Sequence, residues 1–318
     1  MTPWEVSGQI DYAKLGREFG VKDMPEKLPE AFSQHILFRR KSVYAQRDIE
    51  RVLQAINQKK QFVMMTGLMP TGKFHLGHAM VAQQMIFYQT LHAQSYVCVA
   101  DIEAYHAREQ SFETSQKNAI EEYLLNYIAL GLKPKNTQFY FQSKRSTKAQ
   151  QANAYYRLQN QLARHITFNE IKAIYGDISP GKMFAALLQA SDMLHPQLPE
   201  FEGPCPVVVP VGFDQDPHLR LARDICNRLP DKKLIQLSST YHKFLPGLSG
   251  GKMSYSDQTS FIALTDSPKE VETKIKKYAF SGGQATIEEH RRKGGNPEVD
   301  VSFQYLKYMF EPDDKKLR

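Results

Sequence analysis

Cysteine is scarce: Cys98, Cys205 and Cys226 are the only three in 318 residues, they lie far apart, and none has a partner spaced for a zinc knuckle. A disulfide framework and a metal site are thereby excluded, leaving buried free thiols. Long apolar runs are missing as well. No stretch of about 18 apolar residues spans a bilayer, so no membrane association is expected. The opening MTPWEVSGQIDY lacks the charged, apolar and small-residue order of an export signal, which makes the cytoplasm the expected location. Internal repeats and low-complexity tracts are absent too.

What is present is enough apolar material to bury a core, with 42% hydrophobic and 11% aromatic residues. A chain of 318 residues favours one large domain with a smaller attachment. The formal charge of +7 and pI of about 9.1 tilt toward a polyanionic partner such as nucleic acid.

Residues 1–58 hold Pro3, Pro25, Pro29, a basic Phe38-Arg39-Arg40-Lys41 stretch and an amphipathic segment at 48–56, and read as an N-terminal appendage ending in a helix. From residue 59 the pattern changes. QFVMMTG reads as a strand, followed by a Pro/Gly loop and a long helix; SYVCVAD, TQFYFQS and PVVVPVG each repeat the strand-then-helix unit, and KLIQLS reads as a last strand. Nearly continuous apolar strands alternating with helices predict an α/β domain over 59–257 with a doubly wound parallel sheet of the Rossmann type. Ligands of such sheets sit outside the carboxyl ends of the strands. Residues 258–318 read as helical and close on a charged stretch that resembles the opening of another helix.

The loop after the first of these strands, TGLMPTGKFHLGH, carries Gly67, Pro70, Gly72, His75, Gly77 and His78. Glycines let a phosphate approach the backbone, a helix starting near Leu76 offers N–H groups and a positive dipole end, and two imidazoles donate to anionic oxygens. The Lys-Ser/Thr pair of a Walker loop and the dinucleotide fingerprint G-x-G-x-x-G are both absent. Far downstream, Gly250-Gly251-Lys252-Met253-Ser254-Tyr255-Ser256 forms a glycine-hinged loop whose lysine can close over a triphosphate.

HLGH after the first strand and KMSYS after the last resemble the two signatures of class I aminoacyl-tRNA synthetases, usually written HIGH and KMSKS. That class has a HUP-like Rossmann-type catalytic domain. TPWEV, HITFNEIKAIYG, VPVGFDQDPHLRLARDI and AFSGGQATIEEHRRKGGNPEVDVSFQYL are similar to tryptophanyl-tRNA synthetases of the archaeal and eukaryotic type, over essentially the whole chain. The resemblance implies L-tryptophan, ATP, Mg2+ and tRNA(Trp) as ligands, a homodimer, and an anticodon-binding domain of which 258–318 is an incomplete part.

It also implies roles residue by residue. His75, His78 and Lys252 would be catalytic, acting on the phosphates. Gly67, Thr71, Gly72 and Gly77 would lie near the phosphates or base, Gly212 and Asp214 near ribose and adenine, and Met253, Ser254 and Ser256 on the closing loop. Glu103, Gln189 and Gln215 match positions that hold the α-amino group, and a carboxylate beside two amide oxygens suits an ammonium.

Two positions depart from the pattern. Eukaryotic members have a tyrosine and a glutamine for the indole N–H where this chain has Met65 and Cys98, neither a strong acceptor. Asp192, in LLQASDMLHP, resembles the aspartate that accepts this N–H in bacterial tryptophanyl enzymes; an ion pair or a helix-capping role is its other reading. Tyrosyl enzymes carry an aspartate in a similar segment, so Asp192 alone separates neither substrate, whereas an apolar Met65 suits indole better than phenol. Tyr255 replaces the second lysine of the KMSKS signature, which puts more of the electrostatic work on Lys252. A tyrosyl-tRNA synthetase, a nucleotidyltransferase sharing the H-x-G-H loop and a paralogue that does not aminoacylate are the alternatives.

Overall fold

A computed structural model describes residues 12–229, 233–251, 253 and 257–317. Seven strands form one sheet: β1 (Lys22–Asp23), β2 (Val43–Arg47), β3 (Val63–Leu68), β4 (Gln94–Val99), β5 (Thr137–Phe141), β6 (Val207–Gly212) and β7 (Ser238–His242), in the order β1-β2-β7-β6-β3-β4-β5. The five strands from β7 to β5 run parallel, whereas β1 and β2 extend the β7 edge antiparallel. The segment before residue 59 therefore contributes two strands to the sheet, followed by the expected helix, Glu50–Asn57.

Alternation along the central strands feeds two cores. Met64, Val97 and Val99 face one, with Met80, Met85 and Tyr88 of the Leu76–Thr90 helix. Met65, Tyr96, Cys98 and Tyr140 face the other, with Leu187, Ala190 and Met193 of the Pro180–Leu194 helix. All three cysteines are buried free thiols. Helices on both faces satisfy the double burial that a parallel sheet requires.

The last strand is displaced from its expected position. KLIQLS, residues 233–238, is irregular up to residue 237, and β7 begins only at Ser238. The side chain of Gln197 explains the difference: its Nε2 donates to Ile235 O at 2.9 Å and its Oε1 accepts from Ile235 N at 2.7 Å. One side-chain amide thus takes the backbone groups a neighbouring strand would have used.

The sheet also opens where a ligand would enter. β3 and β6 pair only through Val63↔Val207 and Met64↔Val208 and then separate. Pro210, which has no N–H to give, follows that separation and pairs on its other side with β7. The crevice lies at the switch point of strand order, outside the carboxyl ends of β3 and β6. Beyond β7 the described chain is helical at Pro268–Tyr278, Ile287–Lys293 and Val301–Tyr305, and it closes on Asp314–Leu317. Arg40 ties that end to the N-terminal part through Asp314 at 2.6 Å.

Candidate active site

The crevice is a cavity of about 840 Å³. His75, Gly77, His78, Gly67, Thr71 and Met253 line one end; Met65, Glu103, Gln189 and Asp192 line the other; Gly212, Asp214 and Gln215 line the rim between them. Gly72 does not line it, but shapes the turn that does: its φ of 95° is one that a β-carbon disfavours. Lys252, Ser254 and Ser256 lie outside the described residues, as does the TPWEV segment.

HLGH forms the helix start that its sequence predicts. The His75 Nδ1 accepts from Gly77 N at 3.1 Å, and the His78 Nδ1 accepts from His75 N at 3.2 Å, a capping box made of two imidazoles. The rings stack with centroids 3.8 Å apart. Because each Nδ1 is an acceptor, the neutral rings carry their proton on Nε2, which is then a donor for an anion. Burial and the neighbouring His75 charge push the His78 imidazole well below its ordinary value, so it stays neutral at physiological pH.

The far side of the KMSYS loop is pinned to this helix start. Leu76 N donates to Ile262 O at 3.1 Å and Leu264 N to Phe74 O at 3.0 Å. Met253 is buried, and its Sδ lies 3.3 Å from where a β-carbon on Gly77 would stand. A β-carbon on Gly212 would meet Asp214 Oδ1 and a Phe244 ring carbon at 2.8 Å, so any larger residue would displace both side chains. Over Gly67 the same test finds open space, leaving bare backbone for a ligand.

At the other end Asp192 is 2% exposed and heavily ligated. The hydroxyls of Tyr140 and Tyr155 donate to its Oδ1 at 2.9 and 2.6 Å, and Gln142 Nε2 donates to Oδ2 at 2.8 Å. The Cys98 thiol is a fourth, weaker donor to the same carboxylate, so its acceptor positions are filled and a stronger donor could take only the thiol's place. The Gln142 Oε1 in turn accepts from Glu103 N at 3.3 Å, which links both acidic residues through one amide. Burial raises the Asp192 carboxyl, against the pull of its donors. Glu103 is raised to about 7, first by burial and then by the Asp192 charge, with Arg108 acting in the opposite sense. The Asp192 charge discourages ionisation of Glu103, so a cation beside Glu103 would favour its carboxylate.

Gln142, Tyr140, Tyr155, Tyr175 and His218 shape this end, and sequence reasoning passed over them. The available signal was position: Gln142 follows directly on the carboxyl end of β5, and His218 stands three residues after Gln215 on the Asp216–Asn227 helix.

With this geometry in view, comparison with known proteins is specific. Residues 57–317 match the family model for class I tRNA synthetases (W and Y). The tryptophan–tRNA ligase of Methanocaldococcus jannaschii is 45% identical over 322 residues, covering 100% of this chain and 85% of that protein. That of Hyperthermus butylicus is 44% identical over 324 residues, with coverage of 100% and 85%. The crystal structure of tryptophanyl-tRNA synthetase from Aeropyrum pernix K1 superposes with a TM-score of 0.90 at 42% identity, covering 100% of this chain and 86% of that one.

Proposed function

We propose, from the premise that this chain belongs to the class I tRNA synthetases (W and Y) and is a tryptophan–tRNA ligase, that the crevice hosts both of its half-reactions. The enzyme activates L-tryptophan with ATP to tryptophanyl-adenylate and pyrophosphate, then transfers tryptophan to tRNA(Trp) for protein synthesis. The observation that supports the proposal best is one continuous cavity with a histidine-capped helix start at one end and two buried carboxylates at the other.

In this reading the tryptophan carboxylate attacks the α-phosphate of ATP, the bond to the β-phosphate breaks and pyrophosphate departs. The terminal ribose hydroxyl of tRNA next attacks the acyl carbon, and AMP leaves. No protein nucleophile is needed, so positioning and charge stabilisation account for the catalysis. His75 and His78 donate from Nε2 to the phosphates, while Gly67, Thr71, Gly72 and Gly77 give the backbone room. Gly212 and Asp214 take ribose and adenine. Met253 holds the closing loop on the helix start, so that Lys252 can neutralise the departing pyrophosphate while Ser254 and Ser256 supply neutral donors. Mg2+ arrives as part of the nucleotide substrate.

Tryptophan lies with its indole on Met65, its N–H at Asp192 in place of the weak Cys98 thiol donor, and its ammonium among Glu103, Gln189 and Gln215. Met65 and Cys98 are both buried on the same sheet face, which supports a flat apolar floor for indole rather than phenol. The helical segment 258–318 serves the tRNA, as part of an anticodon-binding domain. The apolar side chains of Ile120, Leu125 and Ile128, each about half exposed, support a homodimer. No helix among the described residues is long and apolar enough to cross a membrane, and we assign the enzyme to the cytoplasm. ATP–pyrophosphate exchange measured with each amino acid is the test. Exchange driven by tryptophan, followed by charging of tRNA(Trp), is expected; exchange driven by tyrosine alone would overturn the substrate assignment.

A further inference from the structure

Three helices bring one side chain each to the ammonium end of the crevice: Tyr175 closes Phe168–Tyr175, Gln189 stands within Pro180–Leu194, and His218 lies in the first turn of Asp216–Asn227. The Tyr175 hydroxyl is 2.6 Å from His218 Nδ1 and 3.3 Å from Gln189 Oε1, with the two rings meeting edge to face at 5.0 Å. Tyr175 and His218 are buried, whereas Gln189 and His218 both line the crevice.

A hydroxyl has one proton, and an amide oxygen has none to give. Both contacts can be hydrogen bonds only if His218 carries its proton on Nδ1 and donates to the tyrosine oxygen, freeing the tyrosine proton for Gln189 Oε1. With the other neutral tautomer the tyrosine proton would go to Nδ1, the tyrosine oxygen could only accept, and the Gln189 amide would turn over to donate its Nε2. Burial holds the imidazole neutral by lowering it to about 3, so it keeps one proton throughout the working range. We infer that Tyr175 and His218 are positioning residues: they fix the Gln189 amide with its oxygen, not its NH2 group, presented to the substrate α-ammonium. The tyrosine contact uses one lone pair of Oε1 and leaves the other for the ligand. Glu103 acts at the same end, since its charge is felt at the Tyr175 hydroxyl. Without the relay the amide is free to turn over and set its own N–H groups against the ammonium.

The inference rests on the proposed function, and the test separates the two. In ATP–pyrophosphate exchange, Tyr175→Phe is expected to raise the tryptophan KM about tenfold, with kcat and the ATP KM retained. Inhibition by 3-indolepropionate, which has the indole and carboxylate but no amino group, should be the same for wild type and Tyr175→Phe. His218→Asn, whose amide N–H stands where Nδ1–H stood, should stay within about twofold of wild type, whereas His218→Leu should lose affinity for tryptophan but not for 3-indolepropionate. Equal weakening of both ligands by Tyr175→Phe, or identical behaviour of the Asn and Leu variants, would overturn the relay. If wild-type enzyme shows no tryptophan-driven exchange, the proposed function and the relay fall together.

Discussion

At the end of the crevice proposed for the amino acid, the lining groups are held by other side chains; at the end proposed for the phosphates they are held by backbone. Asp192 is gripped by Tyr140, Tyr155 and Gln142, and Gln189 by Tyr175. His75 and His78, by contrast, take their orientation from the N–H groups of Gly77 and His75, beside the open backbone of Gly67. The difference matches what each end must do. An indole ring does not change during the reaction, so a rigid cage of side chains on strands and helices serves it best. The phosphates move apart and their charge redistributes, so a helix end, glycines and a loop pinned at 262–264 suit them better.

The strongest way to break this comparison is to remove the charge that the closing loop is proposed to supply to the phosphates. Lys252→Ala is expected to slow adenylate formation about 100-fold or more while tryptophan affinity stays within about twofold. Rapid-quench kinetics alongside equilibrium binding would measure both, and unchanged turnover would remove Lys252 from the mechanism.

The matching cut at the other end is Asp192→Ala. It strands Tyr140, Tyr155 and Gln142, together with the weaker Cys98 thiol, in a buried site and takes away the proposed indole acceptor. The tryptophan KM should rise about tenfold or more, and the melting temperature should fall by several degrees, because buried unpaired donors cost about 1–3 kcal/mol each. The ATP KM should hold. A tryptophan KM that does not move would send indole recognition to another residue and leave Asp192 as a structural hub.

Gly77→Ala probes the junction where the closing loop meets the helix start. Its β-carbon would lie 3.0 Å from the His75 ring and 3.3 Å from Met253 Sδ, tighter than ordinary contact. Closure of the loop should be hindered, lowering kcat about tenfold with little change in tryptophan binding. Wild-type kcat in this variant would show that Met253 does not need to seat there.

The phosphate end was the more legible of the two in the sequence, for the same reason that it is backbone-built. Its described residues 66–78 are neighbours in the chain, and glycine, proline and histidine in a short loop announce their local geometry. The parallel sheet was legible too, because β3, β4 and β6 are apolar runs bounded by polar turns. KLIQLS showed the limit of that signal. It has the pattern of a strand, but Gln197, far away in sequence, takes the hydrogen bonds of Ile235. The amino-acid cage fails in the same manner: Tyr140, Tyr155, Tyr175 and His218 come from separate elements, and only tertiary packing turns them into partners of Asp192 and Gln189. A tyrosine on a buried face reads as core until its hydroxyl is seen to have a carboxylate beside it.

The smallest expected effect sharpens the comparison through protons. Glu103 is held at about 7 by burial and by Asp192, so a substantial fraction of the free enzyme is protonated there at neutral pH. An ammonium beside it favours the carboxylate, so binding tryptophan must expel that proton. Affinity should therefore fall as pH drops below about 7, by at most tenfold per unit, and level off above it. Calorimetry in two buffers of different ionisation enthalpy should detect proton release at pH 6 and little at pH 8, with Glu103→Gln binding weakly and without the pH dependence. His78, pushed the other way and neutral throughout this range, adds nothing to the profile. A titration of tryptophan that releases no proton at pH 6 would mean that the ammonium displaces no proton from Glu103, and Glu103 would lose its place in the proposed ammonium pocket.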